Sequence, residues 1–326
     1  MNAGEDIPRR LLVAIGGNAT HPEEIDGTAD EQRDIADQTA AALLPLALMD
    51  NQLIITHGNG PVVGKILMRQ VLTRDRIVPM PLDICVAHSQ GGIAYLLMQA
   101  IENALLRANS KRHVACLLSQ VEVDSNDPAF DNPSKPIGPF FAEEEAKRVG
   151  DELGWLMRED SGRGWRHVVA SPKPLHYCDI SLVRDLSMRG SVVIAGGGGG
   201  IPVVREPDGA RRGISAVIDK DLTSAHMANE LGIDTLMILT ATPKVAIRFG
   251  TPEQQMLDCV TLPEIKAYHA EGHFPPGSMG PKIDAAIRFL EGGGEHVIIC
   301  DLTDAMAALR GETGTHIRGD IKSDHV

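Results

Sequence analysis

The stretch Leu11-Leu12-Val13-Ala14-Ile15-Gly16-Gly17-Asn18-Ala19 is an uninterrupted apolar run of strand length that breaks into glycines. A strand apolar on both faces predicts a parallel sheet covered by helices on each side. In open sheets of that kind, backbone amides beyond the strands' C-terminal edge face the ligand. Two more runs repeat the pattern. Gln52-Leu-Ile-Ile-Thr56 leads into His57-Gly58-Asn59-Gly60-Pro61, and Ser191-Val-Val-Ile-Ala195 leads into five glycines, Gly196 to Gly200. Five glycines cost backbone entropy, and they are read as a place where the backbone closely approaches a ligand. Further strands are expected at 114–118, 120–123, 235–239 and 296–300, with helices alternating between them. The fold class is therefore α/β.

Two helix starts carry lysines. Asp219-Lys220-Asp221 precedes a helix-forming run, 222–231, closed by Gly232, and Gly280-Pro281-Lys282 precedes 283–290 with proline where a first turn tolerates it. A helix N-terminus already bears partial positive charge, so a lone lysine there is mildly unfavourable. A pair makes sense around a strongly anionic group such as a phosphoryl; otherwise both are solvated surface lysines. Elsewhere, Thr28-Ala-Asp-Glu31 is a capping box. The apolar positions of 93–105 follow helical spacing and read as core or subunit interface.

The loop after the second strand fits neither common nucleotide motif. Gly58 to Gly64 encloses five residues rather than four, Ile66 follows Lys65, and Val63 stands at the third glycine of a dinucleotide fingerprint. Lys65 is expected as a solvated helical lysine. Residues 124–174 change character, with Pro128, Pro133, Pro136 and Pro139 close together. They predict an irregular loop rather than a strand, followed by a polar helix from Ala142 to about Met157. Lys135 is the one basic group of the proline-rich part, suited to a mobile charged lid.

The composition narrows the function. A formal charge of -13 with 3% aromatics argues against nucleic-acid backbone binding and stacking platforms. Five scattered cysteines without a CxxC pair suit a reducing cytoplasm, most of them as buried small hydrophobes. The twelve histidines show no metal-ligand spacing. No single apolar run reaches membrane-spanning length, and Met-Asn-Ala-Gly-Glu-Asp lacks a signal-peptide pattern. Glycine-lined strand ends, paired lysines and flanking carboxylates together suggest a small-molecule kinase without a P-loop, since phosphoryl transfer asks mainly for positioning and charge neutralisation.

The motifs resemble those of the carbamate kinases of the amino acid kinase superfamily. Matching segments are Ala14-Ile-Gly-Gly-Asn-Ala19, Thr56-His-Gly-Asn-Gly-Pro61, Met80-Pro-Leu-Asp83, Ser89-Gln-Gly91, Asn126-Asp-Pro-Ala-Phe130 and Ser134-Lys-Pro-Ile-Gly-Pro-Phe140. The second half adds Gly196 to Pro202, Ala216-Val-Ile-Asp-Lys-Asp221, Gly272-His-Phe274 and Gly277-Ser-Met-Gly-Pro-Lys282. The resemblance implies a three-layer α/β/α sandwich around a mainly parallel sheet, in one domain spanning 1–326. Its acceptor-binding half would be about 1–212, a protruding subdomain about 124–174, and a nucleotide-binding half about 213–326. It further implies a cytoplasmic homodimer that uses ATP or ADP with magnesium to interconvert carbamate and carbamoyl phosphate.

The same resemblance implies site residues. Lys220 and Lys282 would stabilise the phosphoryl group, Asp221 would orient them, and Lys135 would reach in from the subdomain. Gly16, Gly17, Asn18, Gly58, Asn59 and Gly60 would hold carbamate and phosphate. Asp219, Thr240, Met279 and Gly280 would lie on the nucleotide side. The chain departs from the family pattern at Ala241 and Lys244, where Asp and Gly are usual, and at Ser125, Val62, His88 and Gly92. Two other readings accompany the carbamate kinase. One is a paralogue phosphorylating another small carboxylate, and the other a catalytically weak sensor of carbamoyl phosphate or nucleotide.

Overall fold

The computed structural model describes residues 8–22, 25–160, 162–275 and 278–319. The N-terminal hexapeptide and Gly277 read above lie outside them. In chain order the first elements are β1 (Arg10–Ile15), α1 (Ala29–Ala47), β2 (Gln52–His57), α2 (Gly60–Leu72), α3 (Leu82–Arg107), β3 (Val114–Cys116) and β4 (Gln120–Glu122). The middle of the chain forms β5 (Lys135–Phe141), α4 (Glu143–Leu153), β6 (Met157–Glu159), β7 (Trp165–Val169), β8 (His176–Tyr177) and α5 (Ile180–Met188). Next come β9 (Val192–Ile194), β10 (Ile201–Arg205), β11 (Arg211–Gly213), α6 (Lys220–Leu231), β12 (Thr235–Thr240), β13 (Ala246–Ile247) and β14 (Gln255–Met256). The last are β15 (Cys259–Thr261), α7 (Leu262–Ala270), α8 (Gly280–Glu291), β16 (His296–Asp301), α9 (Ala305–Leu309) and β17 (Thr315–Arg318).

Eight strands form the central sheet in the order β15-β17-β16-β12-β1-β2-β9-β3, and every neighbouring pair is parallel except β16–β17. Strand alternation sends successive side chains to opposite faces, and both faces are covered. Leu11, Val13 and Ile15 join the cluster built with α1, α3 and α9. Leu12 and Ala14 join the one built with α6, α7 and α8. That is the predicted three-layer sandwich. Its C-terminal strand ends bring Gly16, Gly58 and Gly196 to one edge, because β1, β2 and β9 are parallel and in register.

The proline-rich segment corrects an expectation. Residues 135–141, read as irregular, form β5, the outer strand of a small antiparallel sheet ordered β5-β7-β6. Pro136 and Pro139 are tolerated there because an edge strand needs only half its ladder donors, and the register shifts between Ile137 and Phe141. Two smaller corrections follow. Cys259 is exposed, whereas Cys85 and Cys300 are buried as expected. Taken as a whole helix rather than a single run, α3 is long and apolar enough to cross a membrane, but half of its apolar window is buried inside the protein, as in a core helix.

Beneath the opposite sheet edge, His316 Nε2 donates to the Thr313 carbonyl at 2.9 Å, which leaves its Nδ1 to accept from His296 Nε2 at 3.0 Å. Burial, with Arg318 and His316 adding to it, pushes His296 down to about 3, and burial lowers His316 as well. His296 stays neutral in the folded chain while the unfolded chain takes up a proton there near pH 6.5, so stability falls as pH drops through that value. Between pH 7 and pH 5 the fold is expected to lose about 1–2 kcal/mol through His296. Urea denaturation of wild type against His296→Asn, at both pH values, checks this through a smaller pH difference in the variant.

Candidate active site

The start of α6 is fixed by Asp219. Its Oδ1 accepts from the backbone N–H of Asp221 at 2.9 Å and of Leu222 at 3.2 Å, an N-cap that places Lys220 in the first helical position. Lys220 Nζ bonds to Asp221 Oδ1, and Lys282 Nζ, from the first turn of α8, lies 3.5 Å from Asp221 Oδ2. One carboxylate therefore stands between two ammoniums. Lys220 and Asp221 are buried, at 8% and 3% exposure. Burial lowers the Lys220 pKa and the charge of Lys282 adds to that, while Asp221 opposes both. The second oxygen of Asp219 takes Lys135 Nζ at 2.8 Å, tying β5 to the cap of α6. Burial would raise the Asp219 pKa, but the charge and hydrogen bond of Lys135 hold it well below the usual carboxylate range.

The glycine loops close around this cluster. Gly58 N donates to the Ile15 carbonyl and Gly16 N to the Leu239 carbonyl, both at 3.1 Å, and a Cβ on Gly58 would meet Gly17 N at 2.9 Å. In the run of five glycines, Gly196, Gly198, Gly199 and Gly200 have φ between 63° and 92°, a region other residues rarely occupy. The close approach is largely to the protein's own side chains. Gly197 rests on His57 and Gln90, Gly198 on Asn59, and Gly199 on Ile218. Buried hydrogen bonds clamp the run, from Gln90 Nε2 to the Gly197 carbonyl at 2.8 Å and from Gly196 N to Ser119 Oγ at 2.8 Å. Tyr177 seals Ser119 from beneath. The run is a rigid wall that also presents Gly198 to a cavity.

His57 is fully buried, with Nδ1 donating to the Gly58 carbonyl at 3.0 Å. Burial, with the Lys220 charge adding to it, holds its pKa at about 4, so it is a neutral scaffold of the loop. Asn59 is committed inward, Nδ2 donating to Ser89 Oγ at 2.8 Å. Asn18 lies in the short turn Gly17–Ala19.

Two cavities open at the cluster. The first, about 390 Å³, is walled by Gly17, Gly58, Asn59, Gly60, Lys135 and Lys220 and continues along α2 and the β5-β7-β6 subdomain. The second, about 440 Å³, is walled by Gly16, Gly17, Thr240, Thr242, Lys282 and Asp301. Lys220 faces one and Lys282 the other, with Asp221 bridging them. Thr242 Oγ1, in the second wall, is buried without a hydrogen-bond partner.

Three nucleotide-side expectations shift. Asp219 lines the first cavity rather than the second, because it is tied to Lys135 and the α6 cap. Met279 packs against the core, and Gly280 is buried with its N–H on the Pro275 carbonyl at 2.8 Å; neither lines a cavity described here. Lys65, expected in solvent, lines the first cavity. Arg166, not singled out from the sequence, spans the subdomain. Its Nε donates to the Gly138 carbonyl at 3.0 Å, its Nη1 to Asp160 at 3.1 Å, and its guanidinium lies 4.9 Å from the Phe140 ring centre. No local motif marks such a residue, since its partners come from β5 and from the turn before β7.

Cations held by one buried carboxylate between two cavities can pass a phosphoryl group from one cavity to the other. That chemistry defines a phosphotransferase without a P-loop. Residues 9–301 match the model of the amino acid kinase family. The carbamate kinase of Pyrococcus furiosus is 44% identical over 95% of this chain and 99% of its own. A carbamate kinase-like protein of Escherichia coli is 46% identical over 94% of this chain and 98% of its own. A solved carbamate kinase from Giardia lamblia bound to AMP-PNP has a TM-score of 0.87 at 38% identity, covering 96% of this chain and 99% of that one. The chain belongs to the amino acid kinase family and, within it, to the carbamate kinases.

Asp221→Asn leaves two ammoniums facing each other without compensation. It is expected to destabilise the fold by about 3 kcal/mol in urea denaturation. Adding Lys220→Met in the same chain should restore part of that loss, because the buried charge goes with its partner. Full additivity of the two substitutions would show that Lys220 and Asp221 are not coupled.

Proposed function

We propose that this chain transfers a phosphoryl group reversibly between ATP and carbamate, and runs toward ATP from carbamoyl phosphate and ADP. The observation that carries this reading is the Lys220-Asp221-Lys282 bridge, with one lysine facing each cavity. In the direction of ATP formation, a β-phosphate oxygen of ADP attacks phosphorus, the bond from phosphorus to the carbamoyl oxygen breaks, and carbamate leaves with the electron pair. Lys220 and Lys282 neutralise the oxygens of the transferring group, and Asp221 holds both lysines at one spacing, so little reorganisation is needed. Lys135 joins them by exchanging Asp219 for a phosphoryl oxygen. The loops carrying Gly17, Gly58, Asn59 and Gly60 shape the acceptor end, with Asn18 in the adjoining turn, and the amides of Gly16 and Gly58 tie those loops to the Leu239 and Ile15 carbonyls.

The second cavity suits the nucleotide. Thr240 and Thr242 line it, and the unpartnered Thr242 Oγ1 offers a hydrogen bond. The departures from the family pattern leave this wall open. Lys244 turns aside to pair with Asp258, and Ala241 simply removes a carboxylate. Magnesium is commonly held by nucleotide phosphates and one or two carboxylates. Among the described residues no cluster of three or more metal-binding side chains occurs, and Asp301 is the carboxylate in the nucleotide wall, so the residues fit an ion carried mainly by its substrate. Bound there, magnesium would neutralise phosphate charge.

A division into an acceptor half and a nucleotide half fits this arrangement, since the second cavity draws mainly on residues from Leu239 onward. A homodimer fits α3, which exposes Ile84, Tyr95 and Leu106 at eleven-residue intervals along one face. Five free thiols fit a cytoplasmic setting.

The test is coupled ATP formation from ADP, carbamoyl phosphate and magnesium. Lys220→Ala and Lys282→Ala are each expected to lower turnover by about two orders of magnitude or more, with folding retained by circular dichroism. A variant with near wild-type turnover would remove its lysine from this mechanism.

A further inference from the structure

The first cavity is larger than carbamate needs. At about 390 Å³ it falls in the range typical of drug-sized ligands, whereas carbamate has four heavy atoms and the nucleotide has a cavity of its own. Beyond Lys220 and the glycine loops, its wall is made by His21, Lys65, Phe140, Arg163 and Arg166. None of these has a part in the reaction described above.

Lys65 is held there in a defined way. Its ammonium donates to His21 Nε2 at 2.8 Å and to the Asp26 carbonyl at 3.1 Å, and among the described residues it has no carboxylate partner. Two neutral acceptors thus aim a full positive charge without cancelling it. Because a lysine only donates, His21 Nε2 is the acceptor and the ring proton sits on Nδ1. Burial, with the Lys65 charge adding to it and Glu31 opposing, lowers the pKa of this imidazole. His21 is 4% exposed, packs against Gly27, and among the described residues its Nδ1–H meets no acceptor. Among the described residues the third N–H of Lys65 has no acceptor, so a carboxylate in the cavity would complete the ammonium while His21 holds it in place. On the subdomain side Arg163 and Arg166, each 4.9 Å from the Phe140 ring centre, share Asp160, which lines the cavity with them.

We infer that the Lys65–His21 pair is a second anion subsite, which takes the far carboxylate of a small dicarboxylic acid whose near carboxylate occupies the carbamate position. This inference rests on the kinase reading of the first cavity and deepens it. The acceptor side would admit acids longer than carbamate, as inhibitors or as alternative acceptors.

The probes are malonate, succinate and glutarate, with acetate as the single-carboxylate control at matched ionic strength. Binding is measured by calorimetry, and inhibition by the coupled ATP assay. One dicarboxylate is expected to bind at least about tenfold more tightly than acetate, the scale of one charge-assisted hydrogen bond. Lys65→Met and, separately, His21→Phe are expected to remove that preference while leaving kcat and the KM for carbamoyl phosphate unchanged. Competition with carbamoyl phosphate marks one acid spanning both positions and supports the subsite, whereas binding that is non-competitive with carbamoyl phosphate overturns the spanning arrangement. Equal binding of all four acids, or a preference that survives in both variants, overturns it. Failure of wild type to form ATP would instead overturn the kinase reading, and the calorimetric comparison would still stand.

Discussion

The carboxylate of Asp221 sits between Lys220 and Lys282, and much of the structure exists to keep it there. A buried ammonium is costly without a partner, and two close together repel, so neither lysine is stable here unless a fixed negative charge lies between them. That charge is fixed from three directions. The Asp219 cap sets where α6 begins, the packing of α6 on α8 brings Lys282 across, and the glycine loops close the space above. The carboxylate neutralises one of the two lysine charges, and the helix N-termini add their partial positive charge. A site left positive in this way is completed by a phosphoryl group, which links stability and catalysis at one residue.

Asp219 extends the same constraint to the subdomain. One of its oxygens caps α6 and the other holds Lys135, so the position of β5 depends on the same side chain that positions Lys220. The backbone contact between Gly64 of α2 and Gly138 of β5 sets how closely the subdomain rests on the sheet. Any larger side chain at Gly64 would prop the two apart. The lid expected from Lys135 is therefore a small folded sheet with its own ion pairs, not a loop.

What was legible in the sequence follows from local physics. The run 11–15, the Thr28 capping box and the Gly232 helix end are dictated by nearest neighbours, and all three stand in the structure. The paired lysines were legible because each marks a helix start. Strand β5 was not, since a proline's tolerance depends on whether its strand is an edge, which only the assembled sheet decides. Lys65 was missed for a related reason. Its acceptors, His21 and the Asp26 carbonyl, lie some forty residues away in sequence and reach it only after α2 packs against the loop following β1. The five-glycine run was read as close approach to a ligand, whereas what approaches it in the structure is the protein's own His57, Gln90, Asn59 and Ile218.

The departures from the family pattern then take on a direction. Ala241 and Lys244 change the edge of the nucleotide cavity, yet Thr240 and Thr242 still line it, and Lys244 is drawn off by Asp258. The Lys220-Asp221-Lys282 bridge between the cavities is unaffected by either. In the first cavity Lys65, held by His21 and the Asp26 carbonyl and without a carboxylate partner among the described residues, adds positive charge beyond the reach of a group as small as carbamate. A charge held by neutral acceptors keeps most of its field, whereas one paired with a carboxylate loses it. Variation among such chains is thus more readily accommodated in what the acceptor cavity admits than in how the phosphoryl group is moved.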